Sequence, residues 1–214
     1  MFKAFSLSSQ APEDARAIRH LCLYEGEVNH LYIDTQGQPM IGVGFHIANK
    51  TAFAQLPMRE NKTKRAAGRE HKLAEFEKIR RLPAGYATNF YTAQCELYLS
   101  HKACQRILLR KINELRQELK QLYGEAFYDS LPQPVKLALL DMIYHLGYSQ
   151  LSTQWLRFNA AVRAKDWVSA AEESHRKSIS QSRNTKVKQL LRLGGQKPLS
   201  TWQKLLNWCG ITEK

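Results

Sequence analysis

Two carboxylates near the N-terminus are the first residues of the sequence that could do chemistry together. Glu25 stands at the end of a helical pattern, and Asp34 follows at the end of a strand pattern. A short loop between a helix and a strand can bring two such side chains to one rim. Glycoside hydrolysis needs such a pair, because one acid protonates the leaving oxygen while the other activates water. The spacing alone leaves another interpretation open, since Asp-Thr-x-Gly is ordinary turn chemistry and a glutamate near a helix end is usually solvated.

The elements that must position this pair are a helix before it and a hairpin around it. Residues 11–24 carry apolar side chains at three- and four-residue spacing, which predicts a short helix. Residues 30–47 alternate around a glycine-containing turn, which predicts a hairpin. Residues 48–64 are predicted to be irregular. Further helices are predicted over 65–81, 92–122, 132–146, 152–164, 167–177, 183–193 and 199–209.

These patterns predict a mostly helical α+β fold. A sheet of two or three strands is only marginally stable alone, so it must pack on the helices around it. We therefore predict two lobes, a small β lobe and a larger helical lobe, with a cleft between them. All 214 residues are predicted to form one domain. Its parts are a β lobe over about 25–64, a connecting helix over 65–82, and a helical lobe over 11–24 and 85–214.

The chain is strongly basic, with 32 Lys and Arg against 19 Asp and Glu, a net charge of +13. The last 64 residues hold 12 basic and 4 acidic side chains. A basic surface attracts nucleic acid, an anionic membrane or an anionic cell-wall polymer, and it can also serve solubility alone. The basic residues are dispersed and form no recognition motif, so nucleic acid is not the expected partner. No apolar run reaches about 20 residues, so stable membrane insertion is not expected.

The spacing of the cysteine, histidine and tryptophan residues favours structural roles for them. The cysteines show no metal-ligand spacing, so we expect free, buried thiols at Cys22, Cys95, Cys104 and Cys209. The seven histidines are scattered, and neither a metal nor a cofactor is expected. The tryptophans could stack on sugars, but their helical spacing among aliphatic residues favours core packing at Trp155, Trp167, Trp202 and Trp208.

Three ordered blocks of sequence resemble a known family. The first comprises residues 23–26 (LYEG), 31–37 (LYIDTQG) and 41–44 (IGVG). The second runs from 127–131 (FYDSL) to 141–147 (DMIYHLG), and the third includes Trp167, Ala170, Ala171 and residues 181–194. Together they resemble phage-type lysozymes of glycoside hydrolase family 24, over nearly the whole chain. Residues 29–34 and the helix with Glu75 and Phe76 are similar to lysozyme domains of bacterial antibacterial effectors.

The resemblance implies a muramidase, which cleaves the β-1,4 bond between N-acetylmuramic acid and N-acetylglucosamine. Glu25 matches the family's general acid, and Asp34 matches the carboxylate that orients the attacking water in an inverting mechanism. Inversion requires roughly 6.5–9.5 Å between the two carboxyl groups. Arg183 matches an arginine that pairs with the catalytic glutamate. The resemblance also implies substrate contacts from Tyr32, Gly42, Gly44, His145, Gln181 and Asn184.

The sequence departs from the family pattern at two positions, and other matches have structural alternatives. Met40 replaces a threonine that helps to hold the water, so either Thr35 supports Asp34 or activity is reduced or differently organised. His46 is displaced by one residue from the family's histidine, and a structural role is favoured. His145 is either a substrate contact or a structural histidine, and residues 181–184 also suit a polar loop and helix cap. Asp141, in an apolar helix, is expected to have a structural partner.

The expected partner is bacterial peptidoglycan, and the protein is expected to be a monomer. An effector of this kind would also meet an immunity protein or a secretion apparatus. The N-terminal residues lack the apolar run of a secretory signal. We therefore expect synthesis in the cytoplasm and action at the cell wall after holin-type or secretion-system delivery. The alternative functions are a catalytically weak or inactive peptidoglycan-binding protein of the same fold and, less favoured, a basic nucleic-acid-binding helical protein.

Overall fold

The computed structural model of the protein describes residues 11–196, and the chain divides into two compact units, the first ending at Arg116 and the second beginning at Gln117. The described residues are mostly helical with two small antiparallel sheets, which confirms the predicted α+β class. The helices are α1 (Pro12–Glu25), α2 (Lys50–Gln55), α3 (Arg69–Arg80), α4 (Thr88–Thr92), α5 (His101–Tyr123), α6 (Glu125–Ser130), α7 (Gln133–Gln154), α8 (Leu156–Arg163), α9 (Trp167–Glu173) and α10 (Gln181–Arg192). The strands are β1 (Val28–Ile33), β2 (Pro39–Gly42), β3 (Phe45–His46), β4 (Met58–Glu60) and β5 (Leu97–Leu99). No helix in this part of the chain is both long and apolar enough to cross a bilayer.

The predicted hairpin forms the first sheet, in the order β1-β2-β3. Tyr32 lies opposite Met40, and Met40 lies opposite His46. Because side chains alternate between the two faces of a strand, these three share one face, which is partly or fully exposed. The other face is buried through Leu31 and Ile41. The sheet therefore has a core face and an accessible face.

Two predictions around this sheet are wrong. Residues 48–64 contain α2 and β4 instead of irregular chain, and residues 92–122 contain β5 before the helix begins. The side chain of Asn49 caps α2 by accepting from the Ala52 amide at 2.9 Å. β5 pairs with β4 from a distant part of the chain, and the buried Glu75 carboxylate accepts hydrogen bonds from the Glu96 and Leu97 amides. These long-range contacts override the local helical pattern.

The longer helices confirm the periodicity arguments, with shifted ends. Helices α1 and α3 lie within or beside the predicted ranges, although α3 begins only at Arg69. The predicted helix over 132–146 is the first part of α7, and Gly147 (φ 74°, ψ 163°) interrupts its helical backbone as predicted. The helix resumes after Gly147 and continues to Gln154.

The helices after α7 begin and end where local backbone geometry changes. α8 starts at Leu156 rather than 152, because Trp155 has a non-helical backbone (φ −104°, ψ 46°). α9 ends at Glu173 instead of 177, whereas α10 follows the prediction closely. The predicted helix over 199–209 lies outside the described residues.

Each unit has its own apolar core. In the second unit, Trp167 is buried, and a side chain at Gly194 would come within 2.5 Å of Val135 and about 3 Å of the Trp167 ring. Trp155 is half-buried against Phe158, while Trp202 and Trp208 lie outside the described residues.

The described cysteines are free thiols. Cys95 and Cys104 are buried in the first unit, and burial raises the pKa of both to about 12. Cys22 is half-buried, and burial also raises its pKa. A thiol with a raised pKa is a weak nucleophile at neutral pH, so these positions favour packing over chemistry. Cys209 lies outside the described residues.

Candidate active site

Glu25 is the last residue of α1, and the chain turns directly into the sheet behind it. Pro12 occupies the first turn of α1, where its missing N–H costs nothing, together with the acidic residues that suit a helix N-terminus. At the other end the Gly26 amide donates to Cys22 O at 3.1 Å. Gly26 has a φ of 74°, a conformation that glycine adopts without strain. The end of α1 is therefore firmly determined, and Glu25 lies at its junction with β1.

The turn between β2 and β3 approaches the Glu25 carboxylate. A Cβ atom placed on Gly44 would lie 3.9 Å from Glu25 Oε2, and Gly44 has a φ of 70°. Gly44 is exposed and Glu25 is half-buried. The helix-end glutamate and the Gly-x-Gly turn therefore lie next to each other.

Gly42 has a packing role that explains the first glycine of this motif. It is buried, has a φ of 69°, and a Cβ atom there would lie 2.5 Å from the Phe45 ring and 3.2 Å from Cys104 Sγ. Any side chain at this position would displace the ring or the thiol. A substrate contact at Gly42 stays a prediction, whereas its need for a glycine follows from packing.

Asp34 organises the loop between β1 and β2 with one of its carboxylate oxygens. Oδ1 accepts hydrogen bonds from the amides of Gln36 and Gln38, both at 2.8 Å. The backbone closes the same turn, because Asp34 N donates to Gln38 O and Gly37 N donates to Asp34 O. Among residues 11–196, none donates a hydrogen bond to Oδ2. Asp34 can therefore stabilise the turn through Oδ1 and still take part in catalysis through Oδ2, since the two roles use different oxygens.

Tyr32 links the two carboxylates electrostatically. Its phenol is half-buried, and its pKa is raised first by burial and then by the negative charges of Asp34 and Glu25. The charges of both carboxylates therefore act on this phenol. Glu25, Tyr32 and Asp34 all belong to the first unit, and the separation of roughly 6.5–9.5 Å expected between the two carboxyl groups stays a prediction.

The accessible face of the sheet continues from Tyr32 to Met40 and His46. The Met40 thioether lies directly opposite Tyr32, at the position where the family has a threonine. His46 is exposed, and its Nε2 lies 3.0 Å from Gln38 Oε1. This contact supports the end of the Asp34 loop, which agrees with the structural role favoured for His46.

Sequence reasoning missed a second loop that supports Asp34 from outside the sheet. The Gly85 amide donates to Asp34 O at 3.1 Å, and a Cβ atom on Gly85 would lie 3.6 Å from Thr35 Cα. The buried Tyr91 hydroxyl lies 2.6 Å from Pro83 O and 3.0 Å from Ile33 O. The turn residues at 83–85, followed by aromatic residues, were the available signal. Thr35 itself is exposed beside Asp34.

Arg183 belongs to a buried ion cluster in the second unit. Its Nε lies 3.0 Å from Asp141 Oδ2, and Arg176 Nη2 lies 2.6 Å from Asp141 Oδ1. All three side chains are almost completely buried. The expected structural partner of Asp141 is therefore confirmed, and it is a pair of arginines. The predicted pairing of Arg183 with Glu25 stays a prediction.

The remaining predicted substrate contacts also lie in the second unit. Asn184 is buried, and its amide donates to Arg176 O at 2.9 Å and accepts from Arg176 N at 3.1 Å, which favours the structural interpretation. Gln181 is exposed at the first position of α10. His145 is half-buried, with Nε2 3.0 Å from Ser178 Oγ. Their contacts with substrate stay predictions.

Comparisons with known proteins add no further identification. Within the described part of the chain, no group of three or more histidine, cysteine, aspartate or glutamate side chains is arranged to hold a metal ion. No protein-family model matches the chain, and no curated protein matches it. The resemblance to phage-type lysozymes therefore rests on the sequence blocks alone.

Proposed function

We propose that the protein is a muramidase that hydrolyses the β-1,4 bond between N-acetylmuramic acid and N-acetylglucosamine in peptidoglycan. The observation that carries the proposal is the geometry of the first sheet: the Glu25 carboxylate lies beside the Gly44 turn, and the Asp34 carboxylate closes the loop between β1 and β2 of the same sheet. The end of α1 at Glu25 and the loop at Asp34 meet at this sheet, although each is determined by its own local hydrogen bonds. Two carboxylates in one region are the minimum equipment for glycoside hydrolysis.

The two carboxylates take different roles because their surroundings differ. Asp34 is held by two backbone amides on Oδ1, which orient the carboxylate and leave Oδ2 to activate a water molecule. Glu25 protonates the leaving oxygen, and Gly44 places no side chain of its own against the Glu25 carboxylate. Inversion requires that a water molecule fit between the carboxylate and the sugar.

Tyr32 supplies the hydroxyl that Met40 lacks. The two residues are directly opposite on adjacent strands and share a face, so the phenol reaches the region that a threonine at position 40 would serve. The phenol can donate a hydrogen bond to the water or to Asp34. In this arrangement the hydroxyl that holds the water comes from Tyr32 instead of from a threonine at position 40.

The net charge of +13 supports a polyanionic substrate surface. Peptidoglycan carries anionic stem peptides and attached polymers, and a basic protein accumulates on such a surface. The proposed place of action is accordingly the cell wall. This attraction weakens as salt screens it.

The test is hydrolysis of purified sacculi by the wild type and by Glu25→Gln. The wild type should release new reducing ends, and mass spectrometry should show reducing muropeptides rather than the anhydro sugars of a lytic transglycosylase. Glu25→Gln should lose at least about 100-fold in rate, the usual contribution of a general acid. Unchanged activity in this variant would reject Glu25 as the acid.

The matched control is Glu27→Gln, the same substitution two residues along the chain. The Glu27 carboxylate lies 2.8 Å from His101 Nδ1 and so is engaged away from the proposed chemistry. This variant should keep the wild-type rate. An equal loss in both variants would indicate general damage to the end of α1.

A second candidate is a peptidoglycan-binding protein of the same fold without catalysis, and Met40 is the observation that favours it. A thioether cannot donate a hydrogen bond to water. Sedimentation with sacculi but no release of reducing ends would support this candidate over the muramidase.

A further inference from the structure

The loop that supports Asp34 also presents an aromatic side chain to solvent. Gly85 is bonded to the backbone of Asp34, and Tyr86 follows it immediately. Tyr86 is 56% exposed. Of the large apolar side chains that are exposed within residues 11–196, it is the only aromatic one. This exposed aromatic side chain therefore belongs to the loop that contacts Asp34, one of the two proposed catalytic residues.

The Tyr86 ring is held in place from behind. It stacks on Phe90, with ring centroids 4.7 Å apart and an angle of 32° between the planes. Phe90 in turn packs edge-on against the buried Tyr91 at 5.1 Å. The Tyr91 hydroxyl is bonded to backbone carbonyls of the same loop and of β1. A ring supported in this way loses little conformational entropy when a ligand binds to it.

The aromatic rings lead from solvent to the acid pair. Tyr91 also contacts the Tyr32 ring, at a centroid distance of 6.4 Å. A continuous row of rings thus leads from the exposed loop to β1, which ends directly before Asp34; its members are Tyr86, Phe90, Tyr91 and Tyr32. A rigid exposed aromatic side chain at the outer end of this row suits a long substrate that extends beyond the reacting bond.

We infer that Tyr86 is a stacking platform for a pyranose ring of the glycan strand, at a subsite remote from the one where hydrolysis takes place. The inference rests on the proposed function. The face of an aromatic ring is negative, so it attracts the slightly positive C–H edges of a sugar, and the phenol can bond a sugar hydroxyl. Binding energy from a remote sugar positions the scissile bond at the acid pair.

The experiment compares the wild type with Tyr86→Ala, Tyr86→Trp and Tyr98→Ala on purified sacculi. Initial rates of reducing-end release at several sacculus concentrations give KM and kcat, and circular dichroism checks folding. Sedimentation with sacculi in the Glu25→Gln background measures binding without hydrolysis. Tyr98 is the matched control, because it is a half-buried tyrosine of the same unit on β5, beneath the Lys64 ammonium group.

Tyr86→Ala should raise both KM and the dissociation constant about fivefold, and Tyr86→Trp should keep both within about twofold of wild type. Tyr98→Ala should change neither. An active wild type with unchanged KM and binding in Tyr86→Ala would overturn the platform and leave the proposed function standing. A wild type that releases no reducing ends would overturn the proposed function and this inference with it. An equal effect from Tyr98→Ala would also overturn the platform, because it would show a general loss of structure.

Discussion

The carboxylates of the two units differ in what surrounds them. In the second unit, Asp141 is fully buried and its oxygens are bonded to Arg176 and Arg183. In the first unit, Asp34 has one oxygen bonded to backbone amides, while no described residue donates to the other. A carboxylate held in a buried ion cluster cannot exchange protons without a large cost, whereas one with an accessible oxygen can act on water. The comparison separates structural acids from the candidates for catalysis.

The largest expected effect is on stability, from Asp141→Ala. The substitution leaves two arginines buried without this carboxylate, which costs about 3–5 kcal/mol, a large part of a domain's stability. Urea unfolding followed by circular dichroism measures the change. Asp129→Ala is the control, because Asp129 forms an exposed ion pair with Lys120 and should matter little. Equal stability of both variants would mean that the buried cluster is not structural.

Asp34→Asn should show the opposite behaviour, with activity lost and stability kept. The asparagine oxygen can still accept from the Gln36 and Gln38 amides, so the loop should hold its shape. An amide cannot activate water, so kcat should fall by at least about 100-fold. Reducing-end release and a urea unfolding curve measure the two quantities separately. A large loss of stability would place Asp34 with Asp141 as a structural acid.

Tyr32→Phe should give a smaller loss, because it removes only the proposed water-holding hydroxyl. We expect kcat to fall about tenfold with little change in KM, since the lost interaction is made with the reacting water. Adding Met40→Thr restores a hydroxyl from the opposite strand and should recover much of the rate. If Met40→Thr raised neither the wild-type rate nor that of Tyr32→Phe, position 40 would have no part in holding the water.

The smallest expected effect is on the pH dependence of the protein's stability, and it arises from a histidine of the first unit. Burial lowers the pKa of His30 below its ordinary value of 6.5, while the Thr88 carbonyl acts in the opposite direction. The folded state therefore binds this proton less readily than the unfolded chain. The stability that depends on neutral His30 is complete above pH 6.5 and decreases as the pH falls below it.

Urea unfolding at pH 7.5 and pH 5.5 tests this expectation. His30→Gln should show a smaller difference between the two pH values than the wild type. His175→Gln, an exposed histidine of the second unit, serves as the control and should behave as wild type. The same pH difference in all three proteins would remove His30 as the source.

Most of the fold could be predicted from sequence because its elements are locally determined. The apolar spacing of α1 and the first part of α7 places their helices, and the glycines at 26 and 147 mark their ends. The Asp34 turn is equally local, because its hydrogen bonds join residues no more than four apart. β5 could not be predicted in this way, since its pairing with β4 joins residues that are far apart in sequence.

The candidate site was only partly predictable for the same reason. Glu25 and Asp34 could be identified from the sequence as acids at the ends of two elements, but their neighbours in space could not. The approach of Gly44 to Glu25, the position of Tyr32 opposite Met40 and the support of Asp34 by Gly85 are contacts between separate elements.

The sequence by itself determined the longer helices, the hairpin, the turn at Asp34 and the basic charge of the protein. Periodicity, turn chemistry and composition act over a few residues and need no partner elsewhere in the chain. Only the tertiary structure decided that Arg183 packs with Asp141, that Gly44 approaches Glu25 and that Tyr86 follows the glycine bonded to the Asp34 loop. Those arrangements depend on which distant segments pack together, and packing is a property of the folded chain as a whole.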